Sequence, residues 1–310
     1  MRIAVLRGGP SRDYEISLAT GAHMLDHLKD DHDVQDIFID RDGIWHREGI
    51  PVTLARLVAH VDLFINAMHG EYGEDGSAQR LLESLNVAYT GPRVLAASST
   101  WRKDMARNML AHAGLLVPES RVVSTLDEPY EMAERLHNEI GGQFVIKPIT
   151  GSASRGVEIV RSYPELGEAI SRSLMTWKKV LIEELLRGRE VKCVVIDGFR
   201  GQELYTFLPV EIERGQLDVY HPDREFRVHS PARISSDEKD LVMQTAMRAH
   251  RALGLSHYSS TDMILTNKGA YVLEVDALPP LGQNTIFNKS LDSVGATPRE
   301  FLNHLVEYSH

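Results

Sequence analysis

The chain opens with a short apolar run, residues 2–7 (RIAVLR), that enters Gly8-Gly9-Pro10-Ser11 and gives way to an apolar stripe of helical period from Ile16 to Leu28. A second apolar strand at 36–39, a helix near 52–60 and a buried strand at 61–67 (VDLFINA) continue the alternation. Short apolar strands alternating with amphipathic helices predict an open parallel sheet with helices on both faces, ending near residue 95. From 96 to 113 a helical pattern with Trp101, Met105 and Leu110 runs to Gly114, and Val117-Pro118 marks a new segment. Strands are expected at 120–124, 143–147 and 157–161, with a helix at about 127–140, so this middle lobe reads as small and mixed. A helix at 164–176, an apolar strand at 179–183, a long alternating strand at 190–197 and another near 204–212 follow.

Residues 213–230 are polar, hold no sustained period and are too long for an ordinary connection; they are either a functional lid or a disordered insert, and we read a lid. A helix at 236–253, two strands at 261–266 and 270–275 joined by an Asn267-Lys268-Gly269 turn, a loop and a closing helix after Pro298 complete the pattern. No internal repeat or low-complexity tract is visible.

Composition narrows the class. With 310 residues, 43% of them hydrophobic and 25% charged, the chain has the balance of a globular protein with two or three lobes. A net charge of -10 argues against a basic face for nucleic acid. Cys193 is the single cysteine, which excludes an intrachain disulfide or a cysteine-based zinc site and suits a reducing compartment. The N-terminus lacks the pattern of a signal peptide and no run approaches the ~20 apolar residues of a membrane span, so cytoplasmic residence without a membrane partner is expected.

Four segments carry candidate chemistry. The loop GGPSRDYEIS puts two glycines between strand and helix, reading either as a tight turn capped by Ser11 or as an anion-binding loop. The stretch MHGEYGEDGSAQRLLES follows the strand at 61–67, so both loops sit at the carboxyl ends of strands, where open α/β sheets bind ligands. His69 there either serves a site or pairs with nearby acids. In FVIKPITGSASRGVEIV, Lys147 ends a strand and precedes a small-residue loop whose backbone donors can reach phosphate oxygens; the alternative is a surface hairpin. Glu183 and Glu190 flank a strand-to-strand turn, where backbone groups near Glu183 to Leu186 can hold a nucleotide edge and Glu190 can accept from ribose hydroxyls; periodicity does not separate this from a plain turn.

The strongest metal signal is Asp262 on one strand with Glu274 and Asp276 on the next. Antiparallel pairing about the 267–269 turn brings Asp262 close to Glu274, and residues 274 and 276 share a face. Either three solvated acids end these strands, or a divalent cation, Mg²⁺ held by carboxylates and phosphates, offsets their mutual repulsion. A dinucleotide oxidoreductase is set aside, because G-x-G-x-x-G is absent.

In their order along nearly the whole chain, these motifs resemble the D-alanine–D-alanine ligase family of the ATP-grasp superfamily. Gly8, Gly9, Ser11 and Asp13 match its glycine-serine-acid opening; His69-Gly70, Gly73-Glu74-Asp75-Gly76 and Tyr89-Thr90-Gly91 match later signatures. The resemblance implies an α/β fold, α+β in its ATP-grasp part: a Rossmann-like lobe at 1–95, a central ATP-grasp lobe at 96–180 and a C-terminal ATP-grasp lobe at 181–310. It implies ATP held by Lys103, Lys147, Ser152, Glu183, Glu184, Leu186 and Glu190. Asp262, Glu274 and Asp276 would hold Mg²⁺, two ions, with Mn²⁺ as an alternative. Asp13, His69, Ser154 and Tyr220 would act on the amino acids.

The implied reaction is D-alanyl-D-alanine formation for peptidoglycan through an acyl phosphate, in a homodimer joined by its first lobe. Departures cluster around the amino acids: Asp13 is one methylene shorter than glutamate, Ser260 stands where the family has an arginine, Asp276 replaces an asparagine, and Leu278-Pro279-Pro280-Leu281 replaces Ser-Pro-Gly-Met. Arg155, Arg224 and Arg227 are candidate substitutes for the missing arginine. The alternatives are a ligase with a different amino-acid or hydroxy-acid substrate, or a weakly active nucleotide-binding relic.

Overall fold

A computed structural model describes residues 1–213 and 227–309. Its first sheet contains β1 (Arg2–Gly8), β2 (Asp33–Ile39), β3 (Trp45–Arg47), β4 (Ile50–Pro51) and β5 (Leu63–Asn66), in the order β4-β3-β2-β1-β5. β1 pairs in parallel with β2 and β5, while β3 and β4 add an antiparallel edge. With α1 (Tyr14–Leu28), α2 (Leu54–Val58) and α3 (Ser77–Ser84) covering both faces, β1 is buried on both: Ile3 and Val5 pack with Met24, while Ala4 and Leu6 pack with Leu57 and Leu82. That is why RIAVLR reads as a continuous apolar run rather than an alternating one.

The helix expected at 96–113 is two, α4 (Val94–Trp101) and α5 (Lys103–His112), broken at Arg102, whose backbone is extended (φ -92°, ψ 104°). The second sheet, order β6-β9-β7-β8, is antiparallel and made of β6 (Ser120–Ser124), β7 (Phe144–Pro148), β8 (Glu158–Val160) and β9 (Lys179–Glu184). α6 (Pro129–Glu139) and α7 (Tyr163–Thr176) bury Leu136 and Ile170 against its Phe144 and Ile182.

The third sheet contains β10 (Arg189–Asp197), β11 (Leu204–Thr206), β12 (Val210–Glu213), β13 (Arg227–His229), β14 (Tyr258–Thr266) and β15 (Gly269–Asp276), in the order β13-β12-β10-β14-β15, with β11 also on β10. The strand expected at 204–212 is divided at Phe207-Leu208-Pro209, where Pro209 has no N–H for the ladder. α8 (Ser236–Ala252), opened by a capping box of Ser235 and Glu238, packs on this sheet; α9 (Ile286–Ser293) and α10 (Pro298–Tyr308) follow. α9 falls in a stretch expected to be loop. The first and third lobes share a core, in which Ile3 and Ile65 join Tyr258, Phe287 and Phe301.

The packing around residues 95 and 180 supports other divisions. Ala96, Ala106 and Leu110 pack with Val191 and Val272 of the third sheet, and β9 belongs wholly to the second sheet, paired on both sides. We therefore propose a middle lobe of β6–β9 with α6 and α7 in place of 96–180. No helix among the described residues is long and apolar enough to cross a membrane.

Two stability predictions arise here. Gly188 sits between β9 and β10, and an added Cβ would lie 2.3 Å from the Leu265 carbonyl oxygen and 2.7 Å from the Ile264 side chain. Gly188→Ala is expected to cost about 1–3 kcal/mol, read as a fall of several degrees in melting temperature. Near the chain's end, Arg299 donates to Asp31 at 2.7 and 2.5 Å, and the Asn303 amide donates at 2.8 Å. These bonds hold the Asp31 carboxyl at about 2 instead of 3.8. A depressed carboxylate stabilises the fold above its unfolded value and loses that contribution as pH falls through the folded one. Asp31→Asn is therefore expected to flatten the decline in melting temperature between pH 3.8 and about 2.

Candidate active site

Two adjoining pockets lie where the three sheets meet. The larger, about 500 Å³, is lined by residues of all three lobes, among them Asp13, His69, Trp101, Lys192, Asp276 and Phe287. The smaller, about 120 Å³, runs along the middle lobe past Lys103, Lys147, Glu183, Leu186 and Glu190. Gly151, Ser152, Ser154, Asp262 and Glu274 line both, which makes them the junction.

The small-residue loop after β7 forms one wall. Ala153 and Ser154 take positive φ (54° each), and Gly151 has φ 122°, so the loop curls instead of extending as a flat hairpin. Lys103 pins it: its backbone N–H donates to Ile149 O (2.8 Å), and its Nζ donates to Gly151 O and to Glu274 Oε1, both at 2.7 Å. From the other side Ser152 Oγ donates to Asp13 Oδ2, and Arg155 Nη2 donates to Asp13 Oδ1 at 2.6 Å. The loop thus bridges first and third lobes.

Behind it lies a buried charge cluster. Glu183 receives Lys147 on Oε1 and faces Arg107 at 2.5 Å on Oε2. Burial pulls the Lys147 ammonium below the ordinary lysine range, against the pull of Glu183 in the opposite direction. This cation is therefore poised to gain from additional negative charge, as a phosphate would provide.

Across the junction, β14 and β15 place Asp262 opposite Glu274 and Ser260 opposite Asp276, with a bulge between Asp262 and Met263. Burial and, among its neighbours, Glu190 and Glu274 raise the Asp262 carboxyl to about 6 against the pull of Lys192, whose Nζ lies 2.9 Å away. Burial and Glu74 push Asp276 up to about 7. Burial acts the same way on Glu274, but Lys103 and more distant lysines outweigh it and hold that carboxyl below its usual range.

The metal expectation is refined: among the described residues no three His, Cys, Asp or Glu side chains gather closely enough to hold an ion alone. Asp276 lines only the larger pocket, and lysines face the other two acids. Asp262 Oδ1 is nevertheless buried without a well-formed hydrogen bond, despite its approach to Lys192, and it is a hard oxygen at the junction. Such a donor fits Mg²⁺ when phosphate oxygens complete its shell.

The remaining expected residues divide clearly. His69 is buried, its Nε2 3.0 Å from Thr20 Oγ1 and its Nδ1 3.2 Å from Glu74 Oε1, and it lines the larger pocket. Glu184 lines the smaller pocket while its Oε1 accepts from the Glu119 N–H at 3.1 Å. Of the lid, β12 and β13 pair from Glu213↔Arg227 to Glu211↔His229, while Tyr220 and Arg224 lie outside the described residues. Arg227 is exposed, Arg155 lines the smaller pocket while bound to Asp13, and neither lines the larger pocket. Lys192, Trp101 and the start of α9 were missed; the alternation of REVKCVV puts Lys192 on the face of Glu190, a signal available in the sequence.

A family model described as the D-Ala D-Ala ligase C-terminus matches residues 109–307. This chain belongs to the D-alanine–D-alanine ligase family. It is 31% identical to the D-alanine–D-alanine ligase of Desulforudis audaxviator over 98% of this chain and 97% of that one. It is 26% identical to D-alanine–D-alanine ligase B of Clostridium perfringens over 100% and 98%. Among solved structures it superposes on the VanG D-Ala:D-Ser ligase from Enterococcus faecalis with a TM-score of 0.89 at 26% identity, covering 100% and 99%. For the Bacillus anthracis D-alanine–D-alanine ligase complexed with ATP, the TM-score is 0.83 at 26% identity, covering 100% and 97%. The fold expected from the sequence, a parallel-sheet lobe followed by an ATP-grasp pair, is the fold of these neighbours.

Proposed function

We propose that this chain joins two D-alanine molecules using ATP, supplying a peptidoglycan precursor in the cytoplasm. The observation that carries this reading is the junction: a cation-lined pocket from the middle lobe meets a larger pocket at Asp262 and Glu274. The smaller pocket takes the nucleotide, with Lys103 and Lys147 on the phosphates, Ser152 and the loop backbone beside them, Glu183, Glu184 and Leu186 along the adenine and Glu190 on the ribose. The larger takes the amino acids, with Asp13, His69, Ser154 and, from outside the described residues, Tyr220 acting on them.

In the first step a carboxylate oxygen of one D-alanine attacks the γ-phosphorus, and ADP leaves with the electron pair of the broken P–O bond. In the second, the other D-alanine's amine attacks the acyl carbon, phosphate departs and the amine loses a proton. Asp262 and Glu274, with Asp276 beside them, would hold Mg²⁺, in our reading two ions, with Mn²⁺ able to replace it; the metal supplies charge neutralisation at the phosphate oxygens. We place two such chains in a homodimer through the first lobe.

Mass spectrometry after incubation with ATP, Mg²⁺ and a panel of D-amino and D-hydroxy acids tests the reading. D-alanyl-D-alanine with matching ADP and phosphate is expected. Asp276 and the Pro279-Pro280 turn, both lining the larger pocket, favour one second reading, a different acceptor. A dominant mixed product would establish it, and ATP binding without any product would reject both.

A further inference from the structure

The larger pocket is rich in carboxylates and poor in fixed cations. Asp13, Glu74, Asp262, Glu274 and Asp276 line it, whereas among the described residues only Lys192 and the exposed Lys289 contribute a lysine or arginine. Lys289 projects from α9 at the surface; Lys192 lies on β10, within the sheet, with a side chain 19% exposed. Its Cα is the cross-strand partner of Asp262, its Nζ is 2.9 Å from Asp262 Oδ1, and its charge draws down the carboxyls of Glu274 and Asp276 as well. Of the two pockets, the other lysines near the junction line only the smaller, with Lys103 bound to Gly151 and Glu274 and Lys147 to Glu183.

The second chemical step places a new negative charge amid these acids. As the amine lone pair forms the C–N bond, the carbonyl π pair moves onto oxygen. It returns when the acyl C–O bond breaks and phosphate leaves with those electrons, the amine's extra proton passing to the departing phosphate. An oxyanion beside several carboxylates is strongly disfavoured unless a preorganised cation faces it. Ser260, where the family has an arginine, is buried with a hydroxyl that has no hydrogen-bond partner and supplies no charge.

We propose that Lys192 is a catalytic residue of this reaction, its ammonium donating from β10 to the carbonyl oxygen of the acyl phosphate as the amine adds. The proposal rests on the ligase reading above. Asp262 would hold the metal, and the Lys192 ammonium beside it would then face the carbonyl oxygen.

Lys192→Met is expected to lower kcat for dipeptide formation about 10²- to 10³-fold with KM for ATP changed less than about threefold. Lys192→Arg should keep at least about a tenth of kcat, and Lys192→Met combined with Ser260→Arg should recover at least about tenfold over the single variant. Binding of a phosphinate dipeptide, a tetrahedral analogue of the addition intermediate, should weaken by the same factor as kcat/KM, while binding of a non-hydrolysable ATP analogue stays unchanged. A purely structural lysine would move both ligands together, and that result overturns the proposal. So does a Lys192→Met enzyme within about threefold of the wild-type kcat. Should the methionine variant not fold, Lys192→Gln is read by the same criteria. A wild-type chain that releases no ADP with any D-amino acid overturns the ligase reading and this inference together; an active wild type with an indifferent Lys192 overturns this inference alone.

Discussion

Replacing Lys147 with methionine is expected to lower ADP formation by about 10²- to 10³-fold. The side chain ends β7, lies almost wholly out of solvent and lines the smaller pocket with its ammonium against Glu183. Methionine keeps the stem's volume and removes only the charge. Glu183 retains Arg107 at 2.5 Å, so the fold should survive and the loss should appear in nucleotide affinity and turnover. ADP release alongside calorimetric titration of an ATP analogue reads both. A loss smaller than about tenfold, with unchanged nucleotide affinity, would mean that the phosphates bind elsewhere.

Arg107→Met is expected to have the largest effect on stability, about 3 kcal/mol or more by chemical denaturation. This buried guanidinium on α5 donates to Pro118 O at 3.1 Å and Leu273 O at 3.2 Å and faces Glu183. It therefore ties the segment entering the middle lobe to β15 and β9 in one dry place. Removing it leaves two carbonyl oxygens without their donor and one carboxylate oxygen without its facing cation, and desolvated groups left unpaired account for the large cost. Lysine should not rescue it, because a point charge cannot reach three acceptors in a fork. An Arg107→Met protein within about 1 kcal/mol of the wild type would contradict this role.

Much of this arrangement is legible in the sequence. RIAVLR and VDLFINA announce a sheet buried on both faces, and the turn at Asn267-Lys268-Gly269 predicts the antiparallel pairing that brings Asp262 close to Glu274, whereas the bulge between Asp262 and Met263 that sets the two directly opposite has no local signal. Elements that escaped notice were short or polar: WHR and IP bury too little apolar surface to produce a period, and α9 follows a run of Pro, Gly and Asn that reads as loop. Arg102 breaks a helix whose stripe continues through it, so periodicity alone merges α4 with α5. The site's cations were harder to read. Lys103 and Lys147 stood out through the resemblance and the small-residue loop, whereas Lys192 occurs inside an ordinary alternating strand, and only the third sheet's strand order brings it to Asp262. The commitment of Arg155 to Asp13 is likewise a contact between lobes, which no local pattern encodes.

Calorimetric titration of a non-hydrolysable ATP analogue, with and without Mg²⁺, into the wild type and Glu274→Gln tests most directly whether Lys103 and Lys147 share one metal–triphosphate cleft with Asp262 and Glu274. Mg²⁺ should tighten binding by about tenfold or more in the wild type and by much less in the variant, because a carboxamide is a poor ligand for this ion. An equal Mg²⁺ effect in both proteins would contradict the shared cleft.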